Sequence, residues 1–167
     1  MNNRTRAIIL HTTEYSSTSL IVKAYTEEFG VKTYIIGGVR KLRGKNSMSF
    51  FQPLSLVEIV SVINKRSAME RITEICWSPP FLNIPFDMAR GTVAMFLAEV
   101  LYRSIREEEQ NRTLFSFLHN GIQILDDPST DCSKFHIMFM VRLAKHLGIH
   151  PHGTWVDGNS RFDLQEG

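Results

Sequence analysis

Four cations fall within six residues in the run Arg40-Lys41-Leu42-Arg43-Gly44-Lys45. Gly37, Gly38 and Gly44 loosen the backbone around them. Mobile cations of this kind suit a phosphate backbone, because each neutralised phosphate releases a counterion, which favours binding and makes it salt-sensitive. The same run also reads as a solvated loop whose charge serves solubility. The distribution of charge supports the first choice. Residues 1–80 carry 11 Lys/Arg against 6 Asp/Glu and residues 81–167 carry 8 against 11, although the whole chain is only +2. Such asymmetry points to a basic half that meets a polyanion.

Other residues with chemical potential point to less. His146, His150 and His152, with Asp157 nearby, form the one dense histidine group. Histidines with a carboxylate can ligate zinc, as a small metallohydrolase would require. Their spacing matches no helical zinc motif, however, and His146 falls near a helix end where an imidazole meets terminal carbonyls. No metal or other cofactor is expected. There is no GxSxG, no phosphate-binding lysine loop and no GxGxxG, and Glu107-Glu108-Glu109 reads as a solvated acidic face, so no enzyme is expected. Cys76 and Cys132 form no CxxC or zinc-ribbon pair, which suits a reducing, cytoplasmic setting. No apolar run reaches the roughly 20 residues of a membrane span, and Ala7 to Leu10 is too short for a signal peptide.

The elements that must position the basic run change character near residue 80. Strands are expected at 6–11, 19–26, 31–36, 54–63 and 71–77, with turns at 14–18, 27–30 and 64–67. Five short strands suit a small closed barrel, the OB-fold first and an SH3-like barrel second. The basic run then lies between strands three and four. In strand two Lys23 and Tyr25 share one parity, and in strand three Lys32 and Tyr34 do. Val22/Ala24 and Val31/Thr33/Ile35 make the better interior. If strands two and three are antiparallel neighbours, the Lys/Tyr pairs form an outer face on which single-stranded bases can stack. Alternatively, at least one tyrosine packs against the second half. Beyond Ser78-Pro79-Pro80 and Pro85 the apolar period becomes 3.6. A long helix is expected over 87–109, with Val93, Phe96, Leu97, Val100, Leu101 and Ile105 on its apolar face. A second, capped by Asn111, covers 113–126, and a third, capped by Ser133, covers 134–147. The expected architecture is α+β: an OB-fold barrel over residues 1–80 and a helical domain over 81–167.

The order and spacing of several stretches resemble RecO recombination and repair proteins, especially those of the Bacteroidetes type. They are Ala7-Ile-Ile-Leu-His11, Tyr25-Thr-Glu-Glu-Phe-Gly30, Gly38-Val-Arg-Lys41 and Phe51-Gln-Pro-Leu-Ser-Leu56, then Phe96-Leu-Ala-Glu-Val-Leu101, Asn111-Arg-Thr-Leu-Phe115, Phe135-His136 and Leu147-Gly148 with Pro151. The resemblance implies an N-terminal OB-fold and a helical domain in a non-enzymatic mediator. Such a mediator binds single- and double-stranded DNA, anneals complementary strands, and works with RecR and single-stranded-DNA-binding protein to load RecA in the RecF pathway. It implies a cytoplasmic, nucleoid-associated protein without a membrane partner. The DNA grip carries over best onto Arg40, Lys41, Arg43 and Lys45, with Lys23, Lys32, Tyr25 and Tyr34 as weaker candidates. Two departures stand out. The four-cysteine zinc site of some relatives has no counterpart in this sequence, and Arg161-Phe-Asp-Leu-Gln-Glu-Gly167 resembles mid-protein sequence where relatives continue into further helices, so a shortened chain is expected. A protein-interaction adaptor with an OB barrel and little DNA affinity is the competing expectation.

Overall fold

A computed structural model describes residues 2–38, 48–63 and 69–149. Arg40, Lys41, Arg43, Lys45, His150, His152 and Asp157 lie outside the described residues. Five strands, β1 (Asn2–Ser16), β2 (Ser19–Thr26), β3 (Gly30–Gly37), β4 (Leu56–Val62) and β5 (Glu70–Trp77), are followed by α1 (Met88–Ser104), α2 (Arg112–Asp126) and α3 (Phe135–His146). The strands close a barrel in the order β1-β2-β3-β5-β4, with β3 parallel to β5 and the other neighbours antiparallel. This is the five-stranded OB arrangement expected from strand count and spacing.

β1 is longer than the expected 6–11. Its first residues pair with β4, from Asn2↔Val62 to Ile8↔Leu56, and its later ones pair with β2 out to Ser16↔Ser19. Pairing with β2 alone keeps the polar segment Thr12-Thr13-Glu14 extended, so the turn shrinks to Ser17-Thr18. A bulge at Leu10 lets Ile9 face the barrel interior while Leu10 and then His11 face outward. Ala7, Ile9, Val22, Ala24, Tyr34, Ile36, Val57, Ile59 and Ile72 fill the barrel, and Phe51 from the 3-10 turn Ser49–Phe51 joins them at one end.

A second core lies outside the barrel. Ile8, Leu10, Tyr25, Val31, Leu54 and Leu56 pack against Leu97, Leu101, Leu114, Phe115, Leu118 and Ile122 of the helices. Each fully buried aliphatic side chain here stabilises the fold by about 1.5–3 kcal/mol, so the helical half is bound to the barrel by a shared apolar interior. Asp87 caps α1, its carboxylate accepting from the Ala89 and Arg90 amides, and Asn111 caps α2 by accepting from Leu114 N, as its position predicts.

Three helix expectations are corrected. α1 stops at Ser104 rather than Glu109, because the segment after it is drawn to the barrel. Val31 N donates to Glu107 O at 2.7 Å, and this tertiary bond displaces continued helix. Gly30, at φ +63°, is required there, since a Cβ would collide with the backbone of Glu107 and Glu109. The buried face of α1 runs through Arg90, Ala94, Leu97, Ala98 and Leu101, leaving Phe96 43% exposed instead of central. Small alanines let α1 sit close to its neighbours, which turns Phe96 toward His136 at the edge. Ser133 does not cap α3: the Ncap is Lys134 without a side-chain bond, and Ser133 N and Oγ both donate to Asp131. Among the described residues no helix is long and apolar enough to cross a membrane.

Candidate nucleic-acid interface

The register places Lys23 on the outer side of the sheet, half-buried at the edge of the region that the helices cover. On the outer side of the sheet Thr13↔Ile21, Ile21↔Ile35 and Ile35↔Arg71 form one row across β1, β2, β3 and β5. His11↔Lys23 and Lys23↔Thr33 form the next. The third pair along, Tyr25↔Val31, is where the helical half covers the barrel. The first row is open and presents Arg71 and half-exposed isoleucines, and the second is partly covered, because Tyr102 of α1 stacks on His11 and lies 4.9 Å from Lys23 Nζ. In OB-folds the faces of β2 and β3 and the β1–β2 and β4–β5 loops are the usual site for oligonucleotides.

Further cations follow or precede the strands of this face in sequence. The chain leaves β3 at Gly38, whose N donates to Thr18 O of the β1–β2 turn at 2.8 Å and whose φ is +74°. The Arg40–Lys45 run follows it in sequence. Arg71, exposed, lies across β3 with its guanidinium against Gly37. The sequence joining β4 to β5 contributes Lys65 and Arg66, which also lie outside the described residues. Tyr15, next to the β1–β2 turn, is 63% exposed.

The paired Lys/Tyr face is overturned. Tyr34 is fully buried in the barrel interior opposite Val22, and Lys32 shares its parity opposite Ala24, so Lys32 and Lys23 are on different sides of the sheet. Val31, Thr33 and Ile35, expected inside, face outward. The hydrophobic alternation of strand three fits both phases, and the phase is set by β2, whose Leu20, Val22 and Ala24 point inward and carry Ile36, Tyr34 and Lys32 with them. Tyr25 does share the outer side with Lys23, but it lies fully buried beneath the helices, tilted on Phe115 at 6.2 Å with its hydroxyl 3.5 Å from Asn111 O. Packing against the second half, the alternative expected for at least one tyrosine, is its fate. Burial raises both phenols well above their ordinary value and keeps them neutral, and neither ring is open to a base.

Other cations are committed elsewhere. Arg4 pairs with Glu58, Arg6 with Glu27 at 2.6 Å and Arg112 with Glu28 at 3.4 Å. Arg90 is buried and donates to the carbonyls of Leu125, Pro128 and Thr130, tying α1 to the end of α2. His146 stacks on Phe117 at 4.5 Å, and among the described residues no three His, Cys, Asp or Glu gather as metal ligands. Arg71, Tyr15 and His11 are further candidates that no local motif marks, and Lys65-Arg66 reads in the sequence only as part of a turn. The visible signal was a basic pair in a β4–β5 loop, a loop OB-folds use for binding.

A small OB barrel with a helical half sharing its core is thus the class of protein this chain forms. The family model described as "Recombination protein O N terminal" matches residues 1–81, and "Recombination protein O C terminal" matches residues 85–155. The DNA repair protein RecO of Bacteroides fragilis is 36% identical over 164 residues, covering 98% of this chain and 68% of the relative. RecO of Flavobacterium johnsoniae is 35% identical over 168 residues, 100% of this chain and 70% of the relative, and that of Christiangramia forsetii is 40% identical over 149 residues, 88% and 62%. The chain belongs to the RecO family of DNA repair and recombination proteins.

Proposed function

We propose that the chain is a DNA-binding recombination mediator that binds and anneals single-stranded DNA and assists recombinase loading in the RecF pathway. The observation that supports this is the outer face of the barrel: half-buried Lys23 and exposed Arg71 stand in successive cross-strand rows, on the strands from whose end the Arg40–Lys45 run departs in sequence. In this proposal residues 1–80 supply the grip on DNA, and residues 81–167 supply contacts to partners such as RecR and single-stranded-DNA-binding protein. The protein acts without catalytic turnover, in the cytoplasm at the nucleoid. Lys32 contributes only through long-range charge, and Tyr25 and Tyr34 contribute as core.

The test is single-stranded DNA affinity measured by fluorescence anisotropy over a salt series. Replacing Arg40, Lys41, Arg43 and Lys45 together by alanine is expected to remove most of the affinity. It should also flatten the plot of log affinity against log salt by about 0.7 for each phosphate that is no longer neutralised. A quadruple variant that binds like the wild type sinks the assignment to this loop. A large drop in affinity on Arg71→Ala with the loop intact would shift it to the β3–β5 side.

A second role, the protein-interaction adaptor, is favoured by one observation. Between α2 and α3 lies a groove of about 520 Å³ whose walls include Phe117, Ile124, Phe135, Met138 and Phe139, with Lys134 and Arg142 beside them. The two roles are compatible. Absence of DNA binding at about 150 mM salt in a chain that still captures a protein partner would leave the adaptor alone.

A further inference from the structure

Tyr102 near the end of α1 reaches back to the barrel and stacks on His11, with ring centroids 4.6 Å apart and planes at 25°. Lys23 Nζ, from the residue paired with His11 across β1 and β2, stands 4.9 Å from the centre of the Tyr102 ring. His11 is exposed, whereas the Tyr25–Phe115 contact between barrel and helices lies in the core. Beside the stack, Lys23, Val31, Thr33, Arg106 and Glu108 line a shallow hollow of about 340 Å³. Arg106 is exposed and has no ion pair among the described residues. Among the described residues Glu108 is the one carboxylate lining the hollow, and Arg106 and Lys23 outweigh it.

We propose that the His11–Tyr102 stack, flanked by Lys23 and Arg106, is a base-stacking site for single-stranded DNA that carries the strand from the barrel face onto the end of α1. The proposal rests on the DNA-binding function above and adds where, and through which face of the base, the strand is held. His11 is the exposed member of the stack and half-buried Tyr102 braces it against the core, so a further flat ring would be added on the His11 side, and base–aromatic stacking tolerates any sequence because every base has a π-face. The cations serve the phosphates on either side. The row of His11 and Lys23 lies two residues from the row of Ile21 and Arg71, about 7 Å along the strands, so a strand engaged at Arg71 passes directly to the stack. Duplex DNA hides its base faces, so the site discriminates for single strands.

The experiment compares His11→Ala, Tyr102→Leu and Tyr102→Phe with the wild type on three probes: a thymidine oligonucleotide, an abasic strand of equal length, and a duplex. His11→Ala and Tyr102→Leu are expected to weaken thymidine-strand binding by roughly 5- to 100-fold, with the salt slope unchanged. Abasic and duplex affinity should stay near wild type, and Tyr102→Phe should retain most of the binding. His11 is exposed, so its variant folds even if Tyr102→Leu does not. On the wild type, ultraviolet cross-linking to an iododeoxyuridine strand should mark His11 or Tyr102. Equal losses on the thymidine and abasic strands would reduce the stack to a strut between barrel and helix, and unchanged thymidine binding with cross-links only elsewhere would also overturn the site. If the wild type binds none of the probes, the DNA-binding function falls with it, whereas tight wild-type binding with normal variants removes the stacking site alone.

Discussion

Single side chains in this protein show how little residue type says about role without surroundings. Arg6 and Arg71 are both arginines on barrel strands. Arg6 donates Nε and Nη2 to Glu27 at 2.7 and 2.6 Å and lies 5.6 Å from the Phe115 ring, which spends it on structure. Arg71 is exposed, with its guanidinium against Gly37 at the end of β3. The Arg6 guanidinium holds the Glu27 carboxyl below its ordinary value of 4.5, despite partial burial that works the other way. Because the folded value is depressed, the pair's contribution is present above the unfolded value and is lost as pH falls through the folded one. The stability difference between the wild type and Glu27→Gln should therefore be full at about pH 6 and shrink toward about pH 3. Urea midpoints at the two values measure it, and a difference that persists at the acid end would contradict the assignment.

The elements depend on their ends and on their pairing phase. The end of α1 and the start of α2 were both open to reading in the sequence, yet only the second was legible. Asn111 is a local signal, a short polar side chain that closes on the Leu114 amide three residues ahead. The bond from Val31 N to Glu107 O that ends α1 joins residues far apart in the chain, and no window of sequence contains it. Asn111→Ala should cost about 1 kcal/mol, a fall of roughly 2–4 °C in Tm by calorimetry, without change in DNA affinity. Strand three illustrates the phase. Val31-Lys32-Thr33-Tyr34-Ile35 alternates acceptably either way, so its inward side is a property of the β2–β3 register and not of the segment.

At the scale of the whole molecule, the outer side of the barrel and the helices share the second of the two cores. Tyr25, Leu10 and Val31 from the sheet and Leu101, Leu114 and Phe115 from the helices are one buried cluster, and Gln110 and Arg112 reach Glu28 at its edge. Because residues of both halves build this cluster, the two are expected to unfold together. Leu101→Ala should remove about 2–5 kcal/mol and lower hydrogen-exchange protection in β2 as much as in α2. Protection lost in α2 alone would show that the barrel opens independently. This shared core also places the end of α1 against the barrel face, so that Tyr102 meets His11.

By itself the sequence determined the order of elements, the five-strand barrel followed by helices, the basic run between strands three and four, and the family. These follow from local period, turn chemistry and the spacing of stretches along the chain, all carried by neighbours in sequence. The tertiary structure decided which face each strand turns outward, that Tyr25 and Tyr34 are core rather than surface, and that His11, Lys23 and Tyr102 meet. Those outcomes depend on register between strands and on where the helices cover the sheet. Both are set by burying the largest apolar area at once, which no single segment encodes.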